Sequence, residues 1–160
     1  MKILIFGPSG SGKTYLARSL AKAGINAFDD SDIPGLSNWY DRNGQKVTEP
    51  ETAQQALDNQ YSFLWSQKAM AKFLAQHRDV YVFGGSGNVH HVFDLFDRVY
   101  CLRIDPVVQR QRLQQSNRQR PEMDKNCDGI VVWGDWFEQL AIGHPSHCLM
   151  PTRPLNSSFS

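Results

Sequence analysis

One octapeptide constrains this chain more than any other feature. Gly7-Pro8-Ser9-Gly10-Ser11-Gly12-Lys13-Thr14 satisfies the pattern GxxxxGK[ST] at every required position. It lies between an uninterrupted apolar run, Ile3 to Phe6, and a stretch from Lys13 to Ala23 in which Leu16, Ala17, Leu20 and Ala21 share one helical face. The run reads as a strand buried on both faces, and the stretch as a helix that Gly24 ends with a left-handed cap. Strand, glycine-rich loop and helix in that order form a phosphate cradle, whose glycines let successive backbone N–H groups curl around phosphate oxygens while the helix N-terminus adds partial positive charge. In that geometry Gly7 to Thr14 are expected to bind a nucleotide, with Lys13 reaching the β- and γ-phosphates and the Thr14 hydroxyl ligating Mg²⁺.

The rest of the chain reads as α/β. Ile25 to Phe28 is a second strand that runs into Asp29-Asp30-Ser31-Asp32, so strand, helix and strand make a βαβ unit and imply a parallel sheet. Pro34 to Lys46 reads as loop and turn. Thr48-Glu49-Pro50-Glu51 looks like a capping box opening a helical stretch to about Gln76, with Tyr61, Leu64, Trp65, Ala69 and Phe73 on one side and a break allowed at Asp58-Asn59. A third strand, Asp79 to Phe83, ends in Gly84-Gly85-Ser86-Gly87. A short helix over Asn88 to Phe96 and a fourth strand over Arg98 to Ile104 follow, and Asp105-Pro106 then caps a polar helix to about Gln115. Helix over 129–142 and a last short strand at Cys148 to Met150 complete a single domain over residues 1–160.

Several classes are excluded. The net charge of +1 leaves no field of one sign over the whole molecule, against a general nucleic-acid or membrane-surface binder. No apolar run approaches the roughly 18 residues a membrane span needs. Three cysteines, Cys101, Cys127 and Cys148, are an odd count without CxxC spacing, against a disulfide framework or zinc ribbon. His144-Pro145-Ser146-His147-Cys148 has no second ligand pair to make a metal site. The opening apolar run is too short for a secretion signal, so the expected compartment is the cytoplasm. The near-zero sum hides a division: acid at Asp29 to Asp32, base at Lys13 and at Arg110 to Arg120.

Among proteins with this loop, two classes drop out. No Asn-Lys-x-Asp segment reads guanine, and the third strand ends in glycines rather than in the aspartate that motor and transporter ATPases use for Mg²⁺. The loop on the first strand, Asp30-Ser31-Asp32 past the second, Gly84-Gly85 past the third and the arginines past the fourth together resemble the shikimate-kinase-like branch of small P-loop kinases, within the wider adenylate-kinase-like group. The resemblance runs over about residues 2–121. It implies a P-loop nucleoside triphosphate hydrolase fold, a three-layer α/β/α arrangement around a five-stranded parallel sheet, with a lid over about 106–126. It implies ATP- and Mg²⁺-dependent phosphoryl transfer to a hydroxyl of a small molecule. Asp30 would then stand near the metal and Asp32 would face the acceptor hydroxyl, with Gly84 and Gly85 giving the acceptor close approach to the backbone. Arg120, in an Arg-Pro step, and Arg118 would stabilise charge on the transferred group, Arg110 would pack beside the adenine, and Arg153 would sit in the adenine-contacting loop.

This sequence departs from the family at the acceptor. Between Arg42 and Arg78 there is no arginine, only Lys46, Lys68 and Lys72, so a carboxylate or phosphate acceptor would lack a partner. A neutral or weakly charged acceptor is expected, and Trp39 offers it a stacking surface. Three rival readings stay open: an ATP-binding switch with little transferase activity, a nucleoside or nucleotide kinase, and a protein whose Arg110 to Arg120 segment touches nucleic-acid phosphates. Monomer and homodimer fit equally.

Overall fold

The computed structural model describes residues 1–115, 136–143 and 147–151. Its centre is a five-stranded sheet formed by β1 (Lys2–Phe6), β2 (Ala27–Asp29), β6 (Val80–Gly84), β7 (Arg98–Arg103) and β8 (His147–Pro151), in the order β2-β6-β1-β7-β8. All four pairings are parallel. β1 lies in the middle, flanked by β6 and β7, with Phe6 opposite Gly84 on one side and Cys101 on the other.

The apolar run of β1 serves two cores. Alternate side chains of a strand point to opposite faces. Ile3 and Ile5 join Ala17, Ala27, Phe83 and Leu102 beneath α1 (Lys13–Lys22). Leu4 and Phe6 join Val80, Val82, Val99 and Cys101 in a larger core on the other face. That core is covered by α3 (Gln67–Ala75), by the 3-10 turn Val89–Leu95, and by a helix over 136–142. Helices on both faces of a parallel sheet give the expected three-layer α/β/α arrangement. Gly24 takes φ 83, as its place after α1 demands. Asp105 caps α4 (Pro106–Gln114), accepting from the amides of Val107 at 2.9 Å and Val108 at 3.2 Å.

The segment between β2 and β6 differs from the sequence reading. The loop and the middle of the helical stretch give way to a second, antiparallel sheet of β3 (Ser37–Tyr40), β4 (Lys46–Val47) and β5 (Ser62–Trp65), ordered β4-β3-β5. The break allowed at Asp58-Asn59 and the helical end of the stretch, as α3, are present. Asp41 closes the β3–β4 turn by accepting from the amides of Asn43 and Gln45, both at 2.9 Å. Thr48-Glu49-Pro50-Glu51 caps nothing. The helix α2 (Ala53–Asp58) starts four residues later, where the Thr52 hydroxyl accepts from Gln55 N at 3.0 Å. Gln60, at φ 55, then turns the chain into β5, so Trp65 is a buried strand residue rather than part of a helical stripe. Asn88 fastens β5 to the loop after β6, its amide group exchanging hydrogen bonds with Trp65 N at 2.8 Å and Trp65 O at 2.9 Å.

Candidate nucleotide and phosphoryl-transfer site

Because β1 is central and parallel to its neighbours, the loop after it emerges at the carboxyl edge of the sheet, where β2 and β6 also end. Gly10 and Gly12 take φ 82 and 94, values that turn the chain tightly and suit only glycine well. A Cβ at Gly7 would lie 2.9 Å from the Leu102 carbonyl oxygen, which explains the first glycine of the motif. The loop is closed by Ser11 N donating to the Pro8 carbonyl at 3.3 Å, and Lys13 Nζ donates to the same oxygen at 2.7 Å. Helix α1 has Gly12 as its N-cap, no side-chain cap and no acidic residue in its first turn. Its leading amides therefore suit an anionic ligand.

The acidic cluster is wired in a way its sequence does not declare. Asp29, the last residue of β2, is 5% exposed, and its Oδ2 accepts from Thr14 Oγ1 at 2.6 Å. Its Oδ1 accepts from Ser31 Oγ at 2.7 Å and Ser31 N at 3.2 Å. Burial works to raise the Asp29 pKa, but hydrogen bonds from Thr14, Ser31 and Asp30 outweigh it and hold the carboxyl below its ordinary value. Asp30 turns instead toward the glycine pair. Its Oδ2 accepts from Gly85 N at 3.3 Å, and a Cβ on Gly84 would fall 2.6 Å from its Cβ, Cγ and Oδ2. Burial, then the charge of Asp29, push the Asp30 carboxyl up to about 7, against the pull of Lys13 and the Gly85 amide. Asp32 is exposed and closes a capping box by accepting from Asp29 N at 3.2 Å.

Asp29 is the residue that sequence reasoning passed over: the strand reads from sequence as Ile25 to Phe28, whereas β2 runs Ala27–Asp29 and ends on it. Gly84 and Gly85 have a structural reason of their own, since a Cβ at Gly85 would meet Gly7 O at 2.9 Å and Phe137 Cζ at 3.2 Å. Trp39 lies on β3 with its ring 5.3 Å from that of Phe63. Arg110 is exposed on α4. Two neighbours of Arg110 reach the loop: Gln109 Nε2 donates to Ser9 O at 2.7 Å and Arg112 Nη1 to Gly10 O at 3.2 Å. Arg42, Lys46, Lys68 and Lys72 are all exposed. Arg118, Arg120 and Arg153, the lid beyond residue 115, the helix over 129–135 and His144 lie outside the described residues.

The donor set suits Mg²⁺. A hydroxyl and carboxylates are hard oxygen ligands, and Mg²⁺ usually takes one or two protein groups while keeping waters and substrate phosphates. Among the described residues no three His, Cys, Asp or Glu side chains could hold a metal by themselves, and no helix is long and apolar enough to cross a membrane.

A protein-family model described as AAA domain matches residues 3–131. None of the curated proteins matches the chain. Among solved structures, a shikimate kinase from Bacteroides thetaiotaomicron is similar over 95% of this chain and 86% of its own, at TM-score 0.60 and 18% identity. A gluconokinase from Sinorhizobium meliloti 1021 is similar over 94% of this chain and 82% of its own, at TM-score 0.53 and 16% identity. A shikimate kinase from Aquifex aeolicus is similar over 93% and 85%, at TM-score 0.50 and 15% identity. At these identities the likeness is one of fold.

Proposed function

This chain belongs to the AAA domain family, and from that premise we propose that it is a small-molecule kinase, moving the terminal phosphoryl group of ATP to a hydroxyl with Mg²⁺. The observation that carries the reading is the Thr14–Asp29 contact of 2.6 Å at the mouth of an uncapped P-loop helix, with Asp30 beside it on the Gly85 amide. The named neighbours of like fold, shikimate kinases and a gluconokinase, agree with it.

Each residue has a distinct task. The loop amides and α1 hold the phosphates, and Lys13 exchanges the Pro8 carbonyl for phosphate oxygens. Thr14 would supply a ligand to Mg²⁺, and Asp29, already bonded to that hydroxyl, would hold it toward the metal. Bound there, Mg²⁺ neutralises charge on the phosphates. Asp30 takes the proton of the acceptor hydroxyl, for which a carboxyl near neutrality is matched; Asp32, exposed at the rim, orients the acceptor. The new O–P bond then forms as the bond from the γ-phosphorus to the ADP oxygen breaks. Arg118 and Arg120 stabilise the transferred group, and Arg110 and Arg153 flank the adenine. The exposed positions of Arg42, Lys46, Lys68 and Lys72 favour an acceptor without strong negative charge.

A panel of uncharged polyols, sugars and nucleosides, with carboxylate and phosphate controls, tests this by ADP release. One acceptor should raise the rate sharply, and Asp30→Asn should remove that rise while sparing ATP binding. Tight ATP binding with no acceptor response would instead establish an ATP-binding switch.

A further inference from the structure

The hydrogen bonds from α4 to the nucleotide loop come from side chains to which the proposed reaction assigns no part. Gln109 is 1% exposed, in the middle of an otherwise polar helix whose other glutamines, Gln111 and Gln114, face solvent. A fully buried amide is stable only where its polar atoms are bonded, and this one donates to Ser9 O at 2.7 Å. One turn on, Arg112 donates to Gly10 O at 3.2 Å, and buried Leu113 packs where a Cβ on Gly10 would stand, 3.3 Å away. The three contacts fall on two consecutive loop peptides.

A peptide unit is planar, with its C=O and N–H pointing in opposite directions. Fixing the Ser9 carbonyl toward α4 therefore turns the Gly10 N–H away from it, and fixing the Gly10 carbonyl does the same for Ser11 N–H. Glycine at φ 82 cannot hold those planes by its own sterics, because it has many other conformations open to it. We propose that Gln109 and Arg112 are positioning residues for the polyphosphate: from α4 they set the orientation of the Ser9–Gly10 and Gly10–Ser11 peptides, so that the loop meets phosphate with its amides already turned inward. In this role both act on the loop peptides rather than on the ligand. Arg112 acts through its planar, directed donors rather than through charge alone. The inference rests on the nucleotide reading of the loop but needs neither the acceptor nor transferase activity.

Isothermal titration of ATP and of inorganic tripolyphosphate, which has no base or sugar, separates this role from general packing. Gln109→Met keeps the volume and removes the donor. It should weaken both ligands by about the same factor, roughly tenfold for one lost oriented bond. Arg112→Lys, which keeps the charge, should lose as much as Arg112→Met. Unchanged tripolyphosphate affinity in folded Gln109→Met, or full retention in Arg112→Lys, would overturn the proposal. If Gln109→Met does not fold, the half-buried Arg112 pair decides the matter alone. Failure of the unaltered chain to bind either ligand would overturn the nucleotide reading itself, and this inference with it.

Discussion

Replacing Gly84 by alanine probes the junction between the acidic cluster and the sheet. The added Cβ would lie 2.6 Å from each of Asp30 Cβ, Cγ and Oδ2. Carbon atoms prefer about 3.5–4.0 Å, so the two carbon contacts are about 1 Å too close, and the oxygen contact is also well inside van der Waals range. Neither side yields easily. Gly84 is held in β6 opposite Phe6, and Asp30 is tied through Oδ2 to Gly85 N at 3.3 Å. Overpacking of this kind costs ~1–3 kcal/mol, which lowers the melting temperature of a domain of this size by roughly 2–12 °C. The partner is identified by a double-mutant cycle read by urea unfolding. Asp30→Ala removes Cγ and Oδ2 but leaves the Cβ contact, so it should relieve part of the penalty of Gly84→Ala. Asp30→Gly removes all three atoms and should relieve most of it, with a coupling of at least ~1 kcal/mol. Penalties that add within ~0.5 kcal/mol would refute the reasoning, because the two sites would then be independent.

Other outcomes follow from the same geometry. Asp30 has a folded pKa of about 7 against an ordinary 3.8, so the fold favours its protonated form; its contribution to stability is complete below about pH 4 and lost as pH rises through about 7. In metal-free protein, Asp30→Asn should therefore match the unaltered chain near pH 4 and exceed it in melting temperature by a margin that grows to about pH 7 and then levels off; a margin independent of pH would contradict this. Thr14→Ala removes the hydroxyl that bonds Asp29, so the Mg²⁺ concentration for half-maximal turnover should rise about tenfold while Mg²⁺-free ATP binding holds within about twofold. An equal loss in both would place Thr14 on the nucleotide rather than the metal. Leu4→Ala empties the centre of the larger core, where Leu4 is 0% exposed, and should cost ~2–5 kcal/mol by urea unfolding.

The frame of the nucleotide site was readable because its signals are local. A continuous apolar run marks β1, the octapeptide dictates the turn, and Gly24 and Asp105-Pro106 mark a helix end and a helix start by their own chemistry. The small sheet was hidden for an equally physical reason. Strands of four residues are too short to establish a period, and Leu64, Trp65, Ala69 and Phe73 recur at a spacing that mimics a helical face. The cue that breaks this pattern, Gln60 at φ 55, is not a residue type that announces a left-handed turn. Within Asp29-Asp30-Ser31-Asp32, composition cannot tell which carboxylate meets Thr14, because that depends on where β2 ends. The bonds from Gln109 and Arg112 span about a hundred residues of chain, and only the packing of α4 against the loop discloses them.

Helix α1 carries both Lys13 and Thr14, yet only Ala17 among its ten residues is buried. A segment anchored so thinly opens locally at a lower free energy than the strands it covers. Whatever occupies its uncapped N-terminus must then also restrain its opening, so site occupancy and helix integrity belong to one linked equilibrium. Amide exchange along Lys13–Lys22 would report that equilibrium directly, making the helix a built-in gauge of ligand binding that requires no knowledge of the acceptor.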